Sequence, residues 1–385
     1  MNVNFIFIIF LLLNFNIGLA QNVNHTDNGQ YNKISSESFD LKFPRDHNAH
    51  KEFKIEWWYI TANLKNENGD SFGIQWTLFR SRSELDNNKA TKHFKNPWIS
   101  DQVWMAHAAV TTEDGHYYEE KFSRGDTGQS GVELSPFLAW IDDWEFSSNN
   151  DWSKASLKAN GKQFSYELNL ESEGPLILHG DDGKSIKTKD GHFSAYYSQP
   201  FFKIEGKLII NNESFDVQGN AWADREWSNA ILGPNQEGWD WISIHLDDET
   251  KLMIFRVRDS QRGDFYSGTF ISDQKQKISL EGKDIKMKPL KYFNRKNIKN
   301  KKKSKVPIEW NIVIKSHCID LKLKALNKNS FVDTLVPYWE GPIILSGSHQ
   351  GFGYLEMTGY SYVMRLYHLK RLQLKLGLSL LQLHL

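Results

Sequence analysis

An all-β fold is predicted by three features: a heavy load of aromatic residues, repeated period-two alternation, and the lack of any long amphipathic helical pattern. The 385 residues include 14 Trp, 24 Phe and 14 Tyr. Large rings favour pleated, half-buried surfaces and the walls of pockets. Residues 71–80 alternate Phe72, Ile74, Trp76 and Leu78 with Gly73, Gln75 and Thr77, as a strand with one buried face does. Many short segments of this kind, broken by Gly and Asn, point to barrels or sandwiches.

The chain opens on an apolar run over residues 5–19, interrupted by Asn14, Asn16 and Gly18 and followed by Ala20-Gln21. It is short for a bilayer span, and Gly18 and Ala20 suit a signal peptidase. A signal peptide over residues 1–20 and a secreted or periplasmic destination are therefore expected, followed by a polar, Asn-rich leader over 21–40. No Cys follows the run, so a lipoprotein is not indicated.

Strand patterns then continue almost without a break. Residues 56–64 and 71–80 are joined through Asn66-Glu67-Asn68-Gly69-Asp70, which carries hairpin turn chemistry. Phe164, Tyr166, Leu168 and Leu170 share one strand face, and 202–210 and 214–221 flank the tight reversal Asn211-Asn212. The second half repeats the style at 239–246, 251–258, 265–271, 308–315, 319–326 and 352–359. A chain this long exceeds one ordinary core, and Gly233-Pro234-Asn235 marks a link. Two domains are expected, over 41–227 and 228–360.

Composition narrows the partners. With 47 basic and 47 acidic residues the formal charge is zero, which disfavours nucleic acid and anionic membranes, since both need a field of one sign. The basic stretch over 283–305, with Lys301-Lys302-Lys303, is accordingly read as a solvated loop. Cys318 is the lone cysteine, so no intrachain disulfide forms, and its setting reads as a buried strand position. Residues 361–385 carry no acid and place Leu at 372, 374, 376, 378 and 380; this atypical tail resembles an aberrant end rather than part of the fold.

Motifs for common chemistries are sparse. There is no His-Glu-x-x-His, no phosphate loop and no Cys pair, and His116, Glu119 and Glu120 do not have metal-ligand spacing. Neither a metal nor an organic cofactor is expected. What stands out is polar residues embedded among tryptophans: Glu56-Trp57-Trp58-Tyr59, Gln75-Trp76, His107 within Trp104-Met105-Ala106-His107-Ala108-Ala109, Trp222-Ala223-Asp224-Arg225-Glu226-Trp227, and Gly238-Trp239-Asp240-Trp241. In the last, alternation places Trp239, Trp241, Ser243 and His245 on one face, opposite Asp240, Ile242, Ile244 and Leu246.

A carboxyl beside aromatic surface loses hydration and gains proton affinity, so it can act as a general acid near neutral pH. Indole faces stabilise a cation formed by protonating a carbon–carbon double bond, and added water completes a hydration. On this reading Asp240, or Asp224 as second choice, protonates the ligand, while His107 or His245 positions water. Trp57, Tyr59, Gln75, Trp76, Trp222, Trp239 and Trp241 would bind the ligand within a hollow inside the barrels. The plainer reading makes Glu56, Asp224, Arg225 and Glu226 buried ion pairs that fix barrel closure, which is preferred for Arg225. It likewise makes His107 a hydrogen-bonded core residue.

The ordered set of these motifs resembles the AttH/carotenoid 1,2-hydratase family. The resemblance runs from Glu56-Trp57-Trp58-Tyr59 through Gln75-Trp76-Thr77-Leu78-Phe79-Arg80, His107-Ala108-Ala109-Val110 and Glu120-Lys121-Phe122-Ser123-Arg124-Gly125. It continues through Trp222-Ala223-Asp224-Arg225-Glu226-Trp227 and Gly238-Trp239-Asp240-Trp241 to Gly353-Tyr354-Leu355-Glu356-Met357-Thr358-Gly359-Tyr360. It implies two lipocalin-like, calycin-type antiparallel β-barrels packed side by side, holding an apolar ligand. Members with known activities include carotenoid hydratases and related fungal enzymes. Others are described as predicted secreted hydrolases or serve as accessories of ABC-type exporters. In the hydratase branch a His stands two residues before the Trp matching Trp222, where this chain has Asn220. Two expectations follow: an exported binder of an apolar or amphipathic small molecule with hydratase- or hydrolase-like chemistry, or a non-catalytic carrier serving membrane-associated export machinery. The oligomeric state is left open.

Overall fold

In the computed structural model, which describes residues 40–82, 100–229, 232–233, 235–296 and 303–360, the alternating segments form two separate antiparallel sheets. The expected signal and the leader up to residue 39, residues 297–302 of the basic stretch and the Leu-rich tail lie outside the described residues. Among the described residues there is no helix long and apolar enough to cross a membrane.

The first sheet contains β1 (Ile55–Lys65), β2 (Ser71–Arg82), β3 (Gln102–Thr111), β4 (His116–Arg124), β5 (Ser130–Leu134), β6 (Phe137–Ile141), β7 (Trp144–Ser148), β8 (Lys154–Asn160), β9 (Phe164–Ser172), β10 (Ile177–Leu178), β11 (Lys184–Ile186), β12 (Phe193–Ile210) and β13 (Glu213–Ser228). Its order is β4-β3-β2-β1-β13-β12-β9-β8-β7-β6-β5, with β10 and β11 also pairing β12. The second contains β14 (Gln236–Leu246), β15 (Lys251–Asp259), β16 (Phe265–Ile271), β17 (Lys277–Glu281), β18 (Ile285–Lys296), β19 (Lys303–Ile314), β20 (Ile319–Ala325), β21 (Phe331–Val332), β22 (Tyr338–Gly347) and β23 (Gly351–Met357). Its order is β17-β16-β15-β14-β23-β22-β20-β19-β18, with β21 on β22. Each sheet curls into a near-barrel, giving the two lipocalin-like lobes.

Local chemistry sets the connections. Gly69 takes φ +86 in the turn between β1 and β2, where its N–H closes the reversal onto the Asn66 carbonyl at 3.1 Å. Asn211 and Asn212 both adopt positive φ, 51 and 70, as the two central residues of a tight hairpin turn require.

Alternation then divides the work of each strand. On β1, Trp58, Ile60, Ala62 and Leu64 point into the first barrel with Ile74, Trp76 and Leu78 of β2 and Trp104 of β3. Trp76 lies 6.2 Å from Phe146, and Phe146 lies 5.1 Å from Trp152 in edge-on contact. Each such side chain withdraws enough apolar surface to contribute about 1.5–3 kcal/mol. The second barrel is filled by Ile242, Ile244, Ile254, Trp310, Ile312, Leu321, Trp339 and Leu355. The barrel interiors are thus packed cores, and the hollow expected inside them is not where the tryptophans lead.

One end of the first barrel is stoppered by residues 45–50. His47 stacks on Trp152 at 4.3 Å, and the Trp58 indole N–H donates to the His47 carbonyl at 3.0 Å. Beside this stopper the fully buried Glu56 accepts from Arg80 and, at 2.6 Å, from Arg225. Arg225 lies 3.7 Å over the Trp58 ring. Burial pushes the Glu56 carboxyl up, but Arg225, His50 and Arg80 bring it down to about 2.

The lobes meet through their outer faces. The Asn63 side-chain amide donates to the Gly353 carbonyl at 2.9 Å, and Asn327 donates to the Thr112 and Gly115 carbonyls, both at 3.1 Å. Gly73 permits the closest approach, since a Cβ there would fall 2.6 Å from Cγ of Pro342. Gly73→Val is expected to lower stability by about 1–3 kcal/mol through overpacking, with the lobes separating before either barrel melts; coincident unfolding at an unchanged midpoint in a thermal scan would contradict this.

Two expectations are corrected. Cys318 is exposed, in the left-handed turn between β19 and β20 (φ 55), because the chain must reverse there. The basic stretch is largely strand rather than loop: Lys286, Lys288 and Lys291 are exposed on β18, their charges in water and their neighbours Ile285 and Met287 inside.

Candidate active site

Register turns the outward residues of both lobes into two facing rows. Across the first sheet the paired positions run Glu120, His107, Thr77, Tyr59, Asp224 and Ser198. Across the second they run Glu340, Glu356, Trp241 and Phe255. Between them lies an aromatic cluster that includes Tyr59, Tyr196, Phe201, Trp222, Trp241 and Tyr354, edged by Trp57 and Trp239. Tyr59 meets Trp241 edge-on at 5.2 Å, and Trp222 meets it at 6.4 Å.

Asp224 is 3% exposed. Its Oδ2 accepts from the Tyr196 hydroxyl at 2.6 Å, and its Oδ1 accepts from the Trp222 indole at 2.6 Å and from Ser198. Its contacts include no Lys or Arg. Burial therefore dominates and pushes the carboxyl up to about 7, against the pull of those donors. Oδ1 accepts from two donors and Oδ2 from one, so Oδ2 is the less engaged oxygen of the pair. Tyr196 in turn accepts from the Trp241 indole at 3.0 Å, so an acid, a phenol and an indole form one line across the lobe boundary.

A second set of acids stands on the other lobe. Tyr59 donates to Glu340, whose second oxygen, Oε2, is buried without a partner. Glu340 lies directly opposite Glu356 in register, and the partly buried Glu356 accepts from Trp239 at 2.9 Å. Burial pushes Glu356 up to about 7 and Glu340 well above its ordinary range.

The residues singled out from sequence divide between this site and elsewhere. Trp57, Tyr59, Gln75, Trp222, Trp239 and Trp241 reach the interface, where Gln75 donates to the Tyr338 hydroxyl at 3.4 Å. Trp76 does not; its parity on β2 sends it into the first core. His107 reaches the interface and bridges the lobes through Tyr338 at 2.8 Å. His245 lies beside Trp222, at 5.8 Å, and stacks on Phe352 at 5.3 Å; burial drives its imidazole down to about 3, so it stays neutral. Asp240 is withdrawn from the acid role. It points into the second barrel, away from Trp239 and Trp241, and pairs with Arg258 at 2.7 Å and Arg256 at 3.3 Å. Burial pushes its carboxyl up, and those guanidiniums offset that only in part.

Sequence reading missed Tyr196, Ser198, Tyr338, Glu340 and Glu356. Glu356 had a legible signal, since alternation in Gly353-Tyr354-Leu355-Glu356-Met357 opposes it to two core residues. The serine-hydrolase spacing does occur at Gly69-Asp70-Ser71-Phe72-Gly73. It lies on the β1–β2 hairpin with no helix following, so it lacks the strand–turn–helix elbow that exposes a nucleophile. A cleft of about 210 Å³ opens at the edge of the aromatic cluster, lined by Phe201, Lys203, Asn220, Lys251 and Lys275 among others.

Two side-by-side near-barrels with solid cores and a polar–aromatic seam between them define a two-lobe lipocalin-like protein. The chain belongs to the AttH-like family, whose model matches residues 35–360. Among solved structures, a candidate AttH protein of Nitrosomonas europaea is 27% identical, with a TM-score of 0.73 over 85% of this chain and 99% of that one. Kievitone hydratase of Nectria haematococca shares the fold at 16% identity and a TM-score of 0.63, over 86% of this chain and 95% of that one. No curated protein is similar enough in sequence to count as a match.

Proposed function

We propose that this is an exported protein that takes an apolar, unsaturated small molecule between its lobes and adds or removes water there, with Asp224 as the general acid. The observation that carries the reading is a buried carboxyl, set among indole and phenol groups, that has no cationic partner and is pushed up to about 7. Such a group holds a transferable proton at neutral pH. In the forward direction the Asp224 carboxyl proton passes to one alkene carbon; a C–H bond forms as the π bond breaks. Trp222, Trp241 and Tyr59 stabilise the cation, water adds to it, and the proton that water loses restores the acid. The fold shared with kievitone hydratase supports the architecture of this reading, and Asp224 supports its chemistry.

Asp224, Tyr196, Trp222 and Trp241 are all buried, so the seam must open to admit a ligand to them. The test uses protein purified from its own host, with native mass spectrometry to find a retained ligand. That ligand is then incubated with the protein in H₂¹⁸O. Wild type is expected to incorporate the label, and Asp224→Asn to do so about 10²- to 10⁴-fold more slowly while still retaining the ligand. A ligand bound by wild type and returned unlabelled would instead make the protein a carrier.

A further inference from the structure

We propose that Glu340 and Glu356 form a second acid–base centre, distinct from Asp224, and that Glu120, His107 and Tyr338 connect it to solvent as a proton path. This deepens the functional reading above but stands on separate residues. The path is written in hydrogen bonds across the lobe boundary. Glu120, whose side chain is 21% exposed, meets Nε2 of the fully buried His107 at 3.1 Å. Nδ1 of His107 meets the Tyr338 hydroxyl at 2.8 Å, and that hydroxyl faces the Glu340 carboxyl.

Glu340 and Glu356 are suited to share protons rather than to brace the fold. They are directly opposed across β22 and β23, where like charges repel. The groups facing them are Tyr59, Tyr338, Tyr354, Trp239, Asp224 and Glu226, and none is a cation. A structural carboxylate so placed would be expected to carry an Arg or Lys, as Glu56 and Asp240 do. Oε2 of Glu340 is buried without a full hydrogen bond of its own, which leaves an acceptor beside the Tyr338 hydroxyl for an incoming proton or a water.

The transfer balances as one proton moving inward. Protonated Glu120 gives its proton to Nε2, the Nδ1 proton passes to the Tyr338 oxygen, and the Tyr338 hydroxyl proton passes to Glu340. His107 ends with its tautomer inverted, and no electrons change hands. Refilling the centre from outside while the lobes stay closed is what such a path provides.

The test needs no ligand. In an infrared pH-jump experiment on the full chain, the protonated-carboxyl band is followed in time. Wild type is expected to show protonated carboxyl at pH 7 that diminishes separately in Glu340→Gln and Glu356→Gln. His107→Phe and Glu120→Gln are expected to slow re-equilibration of the Glu340 part at least tenfold without moving its midpoint. Glu120 lies at the rim, so that variant does not threaten folding. A structural role for His107 would move thermal stability and leave the exchange rate alone. An unchanged rate in both folded variants, or Glu340 fully ionised at pH 7, overturns the proposal. Absence of ¹⁸O incorporation would count only against Asp224 chemistry.

Discussion

Glu56→Ala is expected to destabilise the first lobe by about 3–5 kcal/mol, the cost of leaving buried charge without its counter-ion. Glu56, Arg80 and Arg225 are each fully buried, and one carboxylate answers two guanidiniums. Removing it strands both, beneath a stopper that also depends on Glu56: the His50 backbone N–H donates to its oxygens at 2.9 and 3.0 Å. Arg80 would keep its bonds to Gln102 at 2.7 Å and to the Phe53 carbonyl at 2.9 Å, so local geometry survives while the charge balance does not. Urea unfolding followed by tryptophan fluorescence reads the effect. Its pH dependence has a fixed sign: the folded carboxyl sits at about 2 against an ordinary 4.5, so the stabilisation is complete above 4.5 and fades as pH falls towards 2. A change below about 1 kcal/mol, typical of surface pairs, would show that the network does not close the barrel.

Asp224→Asn should do the opposite and stabilise the protein at neutral pH. The folded carboxyl sits at about 7 and its ordinary value is 3.8. A raised carboxyl contributes its full stability below about 3.8 and loses it as pH climbs through 7. At roughly 1.4 kcal/mol per unit, the loss approaches about 4 kcal/mol at pH 8. Asn copies the neutral acid in shape but cannot ionise. The variant is therefore expected to match wild type within about 1 kcal/mol near pH 4 and to exceed it by several kcal/mol at pH 8. Parallel unfolding curves for the two proteins across pH 4–8 would show that Asp224 is not held neutral. Gain in stability alongside loss of turnover is the usual mark of a strained functional group.

Much of the architecture was legible because alternation has only two phases. Once Phe72, Ile74, Trp76 and Leu78 lie on one face, Gly73, Gln75 and Thr77 must lie on the other. The same rule already separated Asp240 from Trp239 and Trp241, so pairing that acid with those rings conflicted with the alternation. What alternation does not supply is register. Tyr59 meets Glu340 across 281 positions of chain, through two sheets whose pairings are set by turn lengths and core fit, and no local pattern encodes the encounter. Glu340 reads in sequence as a lone acid after Tyr338-Trp339. Its meaning comes only from Glu356 opposite and Tyr59 across the seam. Cys318 failed for a simpler reason: Lys315-Ser316-His317-Cys318-Ile319 reads as strand, whereas the backbone reverses there with positive φ.

The filled barrels carry a consequence for how this protein can change. In a cup-shaped lipocalin the residues that hold the ligand also line the core, so altering one disturbs the other. Here Trp58 and Ile60 maintain the scaffold while Tyr59 and Thr61 look outward from the same strand. Every second position can be rewritten for a new ligand while its neighbours leave the scaffold untouched. Diversity among proteins of this build should gather at outward positions such as Thr61, beyond the shared Glu56-Trp57-Trp58-Tyr59 motif, leaving the inward register almost fixed.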